Sequence, residues 1–223
     1  MGKRGPRGRN QVSTEWSADL AYAVGLIASD GCLSKDGRHI TFTSKDLQLV
    51  DIFISCLGLK YSKVGFTKSG SGTLCYRVQL SDINFYNWLL DLGITPKKSL
   101  TLGPLKIPRR FFFDFLRGSF DGDGSVHAYW DKRWRNSFMF YISFASASMI
   151  HVQWLQDRVY KIIKVRGAIK KSRTWYQLAF AKHSSRKLYK AMFYSHHVVS
   201  LQRKRLKLEK ILESEKIQHA RVL

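Results

Sequence analysis

Acidic residues are scarce in this chain: 16 Asp and Glu stand against 38 Lys and Arg in 223 residues, a formal net charge of +22. Such an imbalance excludes cationic partners and favours a polyanion, of which nucleic acid is the commonest; anionic membrane surface and ribosomal RNA are the competitors. Cysteine is nearly absent too. Cys32, Cys56 and Cys75 are odd in number and make no CxxC or Cys/His spacing, which argues against a disulfide frame or a structural zinc site and points to a reducing intracellular compartment, cytoplasm or organelle matrix. No apolar run reaches the ~18 residues needed to cross a bilayer. The N-terminal stretch "MGKRGPRGRNQ" has no apolar signal-peptide segment, so neither a membrane nor secretion is expected. What the chain does have is 44% hydrophobic and 13% aromatic residues, enough for a packed core rather than a disordered basic tail. Residues 1–12 read as a flexible basic arm.

Two aspartates among three glycines stand out in "FLRGSFDGDGSV", residues 115 to 126. A calcium loop would need oxygen ligands at alternate positions and a closing Glu, whereas Ser125, His127 and Tyr129 follow. A second copy explains the stretch better. "YAVGLIASDGCL", residues 22 to 33, lies over it with Gly25/Gly118, Asp30/Asp123 and Gly31/Gly124 in register. Downstream, residues 40–53 lie over 142–155 with Phe42/Phe144, Ser44/Ser146 and Val50/Val152 in step, and later Lys98 falls near Lys204. The chain is therefore expected to be an internal duplication, 13–107 and 108–223. Asp30 to Ser44 is 14 residues and Asp123 to Ser146 is 23, while Ser44 to Lys98 is 54 and Ser146 to Lys204 is 58. One insertion in "HAYWDKRWRN" accounts for most of the difference and reads as a longer hairpin loop.

Each copy reads as helix, two strands, helix, two strands, helix. Ser13 or Ser17 can cap the first helix and Gly31 can end it; Pro108 and Gly124 do the same in copy two. "RHITFTS", "KVGFTK", "TLCYRVQLS" and "FMFYISFAS" alternate at period two, as half-buried strands do, and Ser44 and Ser146 are expected to cap the amphipathic helices that follow. The fold class is α+β with two pseudo-symmetric αββαββα repeats and antiparallel sheets.

In the motif helices Ala21, Gly25 and Ala28 form a stripe without bulk, and Gly118 and Gly122 form a shorter one. Two such helices can pack backbone to backbone and bring Asp30 beside Asp123. Asp121 aligns with Ala28, so it is expected to be a local cap or supporting residue. Two carboxylates at two helix C-termini, each end carrying partial negative charge, call for a cation. Hard oxygen donors with open positions suit Mg²⁺, with Mn²⁺ or Ca²⁺ able to take the same sites, and the backbone carbonyls of Ser29 and Gly122 are candidates to complete the shell.

With "AVGLIASDG" (23 to 31) and "LRGSFDGDG" (116 to 124) in place, the sequence resembles the LAGLIDADG homing endonucleases of the single-chain, two-motif kind, over nearly the whole chain from about Ser13 to Leu212. The resemblance implies a monomer whose two halves form a saddle over a long, asymmetric double-stranded DNA site and cut both strands across the minor groove with Mg²⁺, leaving short 3′ overhangs. It further implies that Asp30 and Asp123 are catalytic metal ligands and that basic residues nearby position water and phosphate. Lys98 and Lys204 match those places, with Lys97, Arg203 and Arg205 as rivals. Ala28, Arg117 and Ser119 depart from the motif's usual residues; none removes a catalytic acid. Some members of the family keep the fold and assist RNA splicing instead, so an RNA-binding intron maturase is the alternative to an intron-encoded nuclease.

Strand parity gives a candidate DNA-reading face. In the first copy it comprises Ser34, His39, Thr41, Thr43, Lys63, Thr67, Arg77 and Gln79, and in the second His127, Tyr129, Tyr141, Ser143, Arg166, Lys170, Trp175 and Gln177. A strand ribbon fits the major groove, where Arg and Gln make paired contacts to guanine and adenine. Charge is shared unevenly: residues 1–107 carry net +6 and residues 108–223 net +16, so the second copy is expected to make more phosphate contacts.

Overall fold

The computed structural model describes residues 11–60, 62–70, 72–132 and 137–222, with side chains through 215. Residues 1–10 of the basic arm and residues 133–136 of the insertion lie outside the described residues. The last two residues of the arm are tied down: the backbone N–H groups of Gln11 and Val12 donate to Asp82 Oδ2 at 2.7 and 3.1 Å, and Val12 is buried.

The first half runs α1 (Ala18–Asp30), β1 (Gly31–Leu33), β2 (His39–Ser44), α2 (Leu47–Cys56), β3 (Val64–Lys68), β4 (Leu74–Ser81) and α3 (Ile83–Leu92). After a linker and one 3-10 turn (Arg109–Phe111), the second repeats the order as α4 (Phe112–Asp123), β5 (Ser125–Trp130), β6 (Phe138–Ser146), α5 (Met149–Ile163), β7 (Ala168–Lys171), β8 (Tyr176–Ala181) and α6 (Lys182–Met192). A further helix, α7 (Gln202–Val222), has no counterpart among the described residues of the first half. Two antiparallel sheets result, ordered β1-β2-β4-β3 and β5-β6-β8-β7, so the expected two-repeat α+β architecture is the observed one.

Local chemistry sets the element ends. Ser17 caps α1, its hydroxyl accepting from Leu20 N at 3.0 Å. The expected caps Ser44 and Ser146 are displaced by two residues: Asp46 caps α2 and Ser148 caps α5. Ser44 and Ser146 instead end their strands and accept from the backbone N–H of Asp46 and Ser148, a turn that side-chain oxygens form readily before a helix. The insertion lengthens the second hairpin. Register in the first joins Gly31–Leu33 to Ile40–Phe42, whereas β5 pairs with β6 over all of Ser125–Trp130.

The sheets bury one face each against helices. Ile40, Phe42, Val78 and Leu80 are buried in the first, and Val126, Phe140, Ile142, Phe144, Leu178 and Phe180 in the second. Phe42 stacks on Phe53 of α2 at 4.5 Å, and Trp154 of α5 meets Phe112 and Phe115 edge-on. Side chains of this size each contribute about 1.5–3 kcal/mol when fully buried. The linker is pinned to α5: Ser148 Oγ donates to Leu102 O at 2.6 Å, His151 Nδ1 to Gly103 O at 3.0 Å, and Arg158 to Ile107 O at 2.7 Å.

Candidate active site at the paired helix ends

Helices α1 and α4 cross at glycine. A Cβ on Gly25 would lie 2.1 Å from Phe115 O, and one on Gly118 would lie 2.0 Å from Tyr22 O. No larger residue fits at either, so the stripe of small residues is a close backbone approach. Further along, a Cβ on Gly122 would meet Ser29 Oγ at 2.0 Å and Asp30 Oδ2 at 2.4 Å. The same crossing thus carries the C-terminus of α1 onto that of α4, and Asp30 and Asp123 end the two helices side by side.

The glycines that follow, Gly31 and Gly124, leave the helices in extended backbone, φ −76° and −75°. They are not the left-handed caps that glycine commonly supplies. Space is the reason: a Cβ on Gly31 would come within 2.6 Å of Ile27 Cα, and one on Gly124 within 2.4 Å of the Phe120 ring.

Both helix ends are held by a lysine. Lys98 Nζ donates to Gly31 O at 2.5 Å and lies 3.5 Å from Ser29 O. Lys204, in the first turn of α7, donates to Phe120 O, Gly122 O and Gly124 O at 2.7, 2.9 and 2.8 Å. An ammonium suits a place where unpaired carbonyls concentrate negative charge. The rivals go elsewhere: Lys97 is exposed, Arg203 pairs with Asp46 of α2 at 2.7 Å, and Arg205 pairs with Glu209 and His196 O. The Ser29 and Gly122 carbonyls, expected in a metal shell, face these lysines instead: Gly122 O accepts from Lys204, and Ser29 O lies at long range from Lys98.

Burial, and then the neighbouring Asp123 carboxylate, raise Asp30 to about 6. Asp123, more open to solvent, is raised too, chiefly by the protein crowded around it. Burial lowers Lys98, and lowers Lys204 to about 8. Two partly buried carboxylates side by side, with two ammonium groups nearby, make a place where ionised carboxylates need more positive charge than the lysines give. A hard divalent cation would supply it. Among the described residues no group of three or more His, Cys, Asp or Glu converges, so an ion here would complete its shell with water and phosphate oxygens, as Mg²⁺ does.

Asp121 takes the supporting role expected of it. It is buried, accepts from Tyr22 OH at 2.6 Å and from Leu201 N at 2.7 Å, and so fixes the start of α7 that carries Lys204. Its Oδ1 has no hydrogen-bond partner, and burial raises its carboxyl to about 6. Two contributors escaped the sequence reading. Arg117, fully buried, donates to Val199 O, Met192 O and Asp114 Oδ1 at 2.7, 2.6 and 2.8 Å, locking α4 to the segment before α7. His151, also buried, lines a small cleft with Ser29, Ser119, Asp123 and Ser146. Its place in "ASMIHVQWL", four residues before Leu155, marked an inward helix face but nothing about the cleft.

Most candidate reading residues share the outer face of their sheet. Thr41 lies opposite Gln79 and Thr43 opposite Arg77, with Thr67 in line through Gly65; Arg77 Nη2 donates to Gln79 Oε1 at 2.5 Å. His39 bonds Asp36, Ser34 O accepts from Tyr86 OH, and Lys63 lies just ahead of β3, exposed. In the second sheet His127 faces Tyr141 and Lys170 faces Gln177. Tyr129 stacks on Tyr141 at 6.2 Å and 10°. Three residues sit differently. Ser143 has the right parity but is 5% exposed, Trp175 is in the β7–β8 turn, and Arg166 precedes β7 with its guanidinium 4.2 Å over the Tyr160 ring of α5.

Comparison of the sequence with protein-family models and with curated proteins finds no match. Solved structures do match. The homing endonuclease I-WcaI bound to its DNA recognition sequence is 13% identical, with a TM-score of 0.61 over 92% of this chain and 95% of that one. I-DmoI in complex with DNA and Ca is 18% identical, with a TM-score of 0.52 over 80% and 91%. Full-length DUF199/WhiA from Thermatoga maritima is 14% identical, with a TM-score of 0.57 over 95% of this chain but only 63% of its own length. With its duplicated motif, glycine-crossed helices and paired sheets, the protein has the LAGLIDADG fold in its two-repeat form.

Proposed function

We propose that the chain is a divalent-metal-dependent, site-specific endonuclease of double-stranded DNA, acting as a monomer within an intron-encoded element. The observation that carries this reading is the meeting of Asp30 and Asp123 at the glycine crossing of α1 and α4. Both acids come from one chain, so no second copy is needed to assemble the pair. I-DmoI complexes with DNA and Mn or Ca give the same fold a nucleic-acid and metal setting. DUF199/WhiA carries the fold under a name that states no nuclease, so the paired acids, not the fold, support cleavage.

Asp30 and Asp123 would hold the ions, which when bound polarise a phosphodiester, activate water and stabilise the leaving oxygen. The chain's own residues position the rest. Gly122 leaves room for the Asp30 carboxylate, and Ser29 Oγ, 3.1 Å from Asp30 Oδ2, orients it. Lys204 uses all three N–H bonds on carbonyls and so braces the end of α4. Lys98 makes one short bond, leaving N–H capacity to orient a water or phosphate oxygen. The outer sheet faces and the excess of Lys and Arg would hold the duplex.

A binding titration of a pool of random duplexes in Ca²⁺, at two salt concentrations, followed by Mg²⁺ addition and sequencing of the released ends, tests the reading. Salt-sensitive binding and recurrent ends with short 3′ overhangs are expected. Duplex that stays intact in Mg²⁺ would refute the nuclease.

A further inference from the structure

The two outer sheet faces are built from different chemistry. Phe42 lies opposite Val78, and its counterpart Phe144 lies opposite Leu178, which aligns the faces residue by residue. Gln79 of the first half corresponds to Ala179, Ser81 to Ala181, Thr43 to Ala145 and His39 to Tyr141. At three of these four places a hydrogen-bonding side chain in the first half is a bare methyl in the second. A fourth alanine, Ala168, lies opposite Ala179 and extends the patch. Ser143, which corresponds to Thr41, is buried at the middle of the face. Alongside runs an aromatic ladder, His127 to Tyr129 at 5.5 Å and Tyr129 to Tyr141 at 6.2 Å.

In the major groove the one apolar feature of the bases is the thymine 5-methyl group, and alanine and aromatic side chains are its natural contacts. Hydrogen-bonding faces suit base edges instead: Arg77 matches guanine, Gln79 adenine, and the Thr41 and Thr43 hydroxyls either. Building on the endonuclease reading, we propose that the second half recognises a thymine-rich half-site by methyl contact through Ala145, Ala179 and Ala181 beside the Tyr129–Tyr141 pair, while the first half reads purines by hydrogen bonds. The occupant is duplex DNA because the patch sits in the more basic half, net +16 against +6. Lys170, directly opposite Gln177 on the same face, supplies cationic charge beside it. Phosphate attraction there needs no sequence, so methyl contact adds what discrimination the half has.

Replacement of thymine by uracil removes that methyl and nothing else. Duplexes enriched from a random pool in Ca²⁺ are resynthesised with uracil in one half at a time. Uracil in the thymine-rich half is expected to weaken binding about tenfold, a few lost methyl contacts, against less than about twofold in the other half. Ala179→Gln, which restores the residue of the first half, is expected to remove the uracil effect at one base pair only and shift preference there towards adenine. Equal sensitivity in both halves, or a guanine-rich site read by the second half, would overturn the proposal while leaving the nuclease standing. Failure of any duplex to enrich would overturn both.

Discussion

The ends of α1 and α4 carry the same acid followed by the same glycine, yet they are supported differently. At the end of α1, Lys98 makes one short bond and one long contact; at the end of α4, Lys204 is bound to three carbonyls. The helix bodies differ in the same sense. Tyr22 OH and Asp121 form a buried hydrogen bond, whereas the corresponding positions, exchanged between helices, are Phe115 and Ala28. Asp121 also binds Leu201 N and so anchors α7, the helix without a counterpart among the described residues of the first half. The two halves share the acids and the crossing glycines, but one is supported by apolar contact where the other has a polar strap.

The crossing is where the halves cannot differ, and breaking it should cost most. Gly118→Ala is expected to destabilise the protein by about 3 kcal/mol or more, because the contact is with backbone that cannot yield. Gly103→Ala, with open space around it, is expected to stay within about 0.5 kcal/mol; equal midpoints in urea for the two variants would remove the close-approach argument. The lysines sharpen the comparison. Lys204→Met is expected to cost about 2–3 kcal/mol of stability through unpaired carbonyls, while Lys98→Met lowers cleavage about 100-fold, the scale of one lost electrostatic group, with a smaller change in melting. A matched pair of activity and urea measurements decides between these roles.

The Tyr22–Asp121 pair gives the next effect. Tyr22→Phe and Asp121→Ala alone are each expected to cost about 1–3 kcal/mol by leaving a buried partner unsatisfied, and together less than their sum. Strict additivity in a double-mutant cycle would mean that the hydrogen bond couples nothing. The smallest effect is one of pH. Burial lowers His151 to about 4, below its ordinary value of about 6.5, so the unfolded chain binds the extra proton and stability falls as pH drops between those values. Compared with His151→Asn, the wild type is expected to lose up to about 1.4 kcal/mol per pH unit at the steepest point. Parallel urea midpoints for the two proteins from pH 7 to 4 would contradict this.

What was legible in the sequence is what repetition and local period encode. The aligned "SDG" and "DGDG" turns placed both acids, small-residue spacing placed the crossing, and parity placed Thr41, Arg77, Gln79 and His127 on outer faces. Contacts between distant segments were not legible. Arg117 reaches Val199 across 82 positions, and Arg203 reaches Asp46 across 157; no periodicity specifies such a pair. Arg117 could be read only as an odd charge in an apolar motif. The caps at Asp46 and Ser148 were missed because two turn-forming side chains two residues apart compete for the helix start.

The central claim is that Asp30 and Asp123 act together as a metal-dependent cutting site. Its most direct test is Mg²⁺-dependent cleavage of a plasmid carrying the joined flanks of the gene that hosts the element, comparing the wild type with Asp30→Asn and Asp123→Asn. The account predicts one double-strand break at a single place, blocked by chelator and lost on either substitution, with duplex binding kept. Tight binding without a cut by the wild type, or cutting that survives both substitutions, would contradict it, and the intron RNA would become the substrate to try.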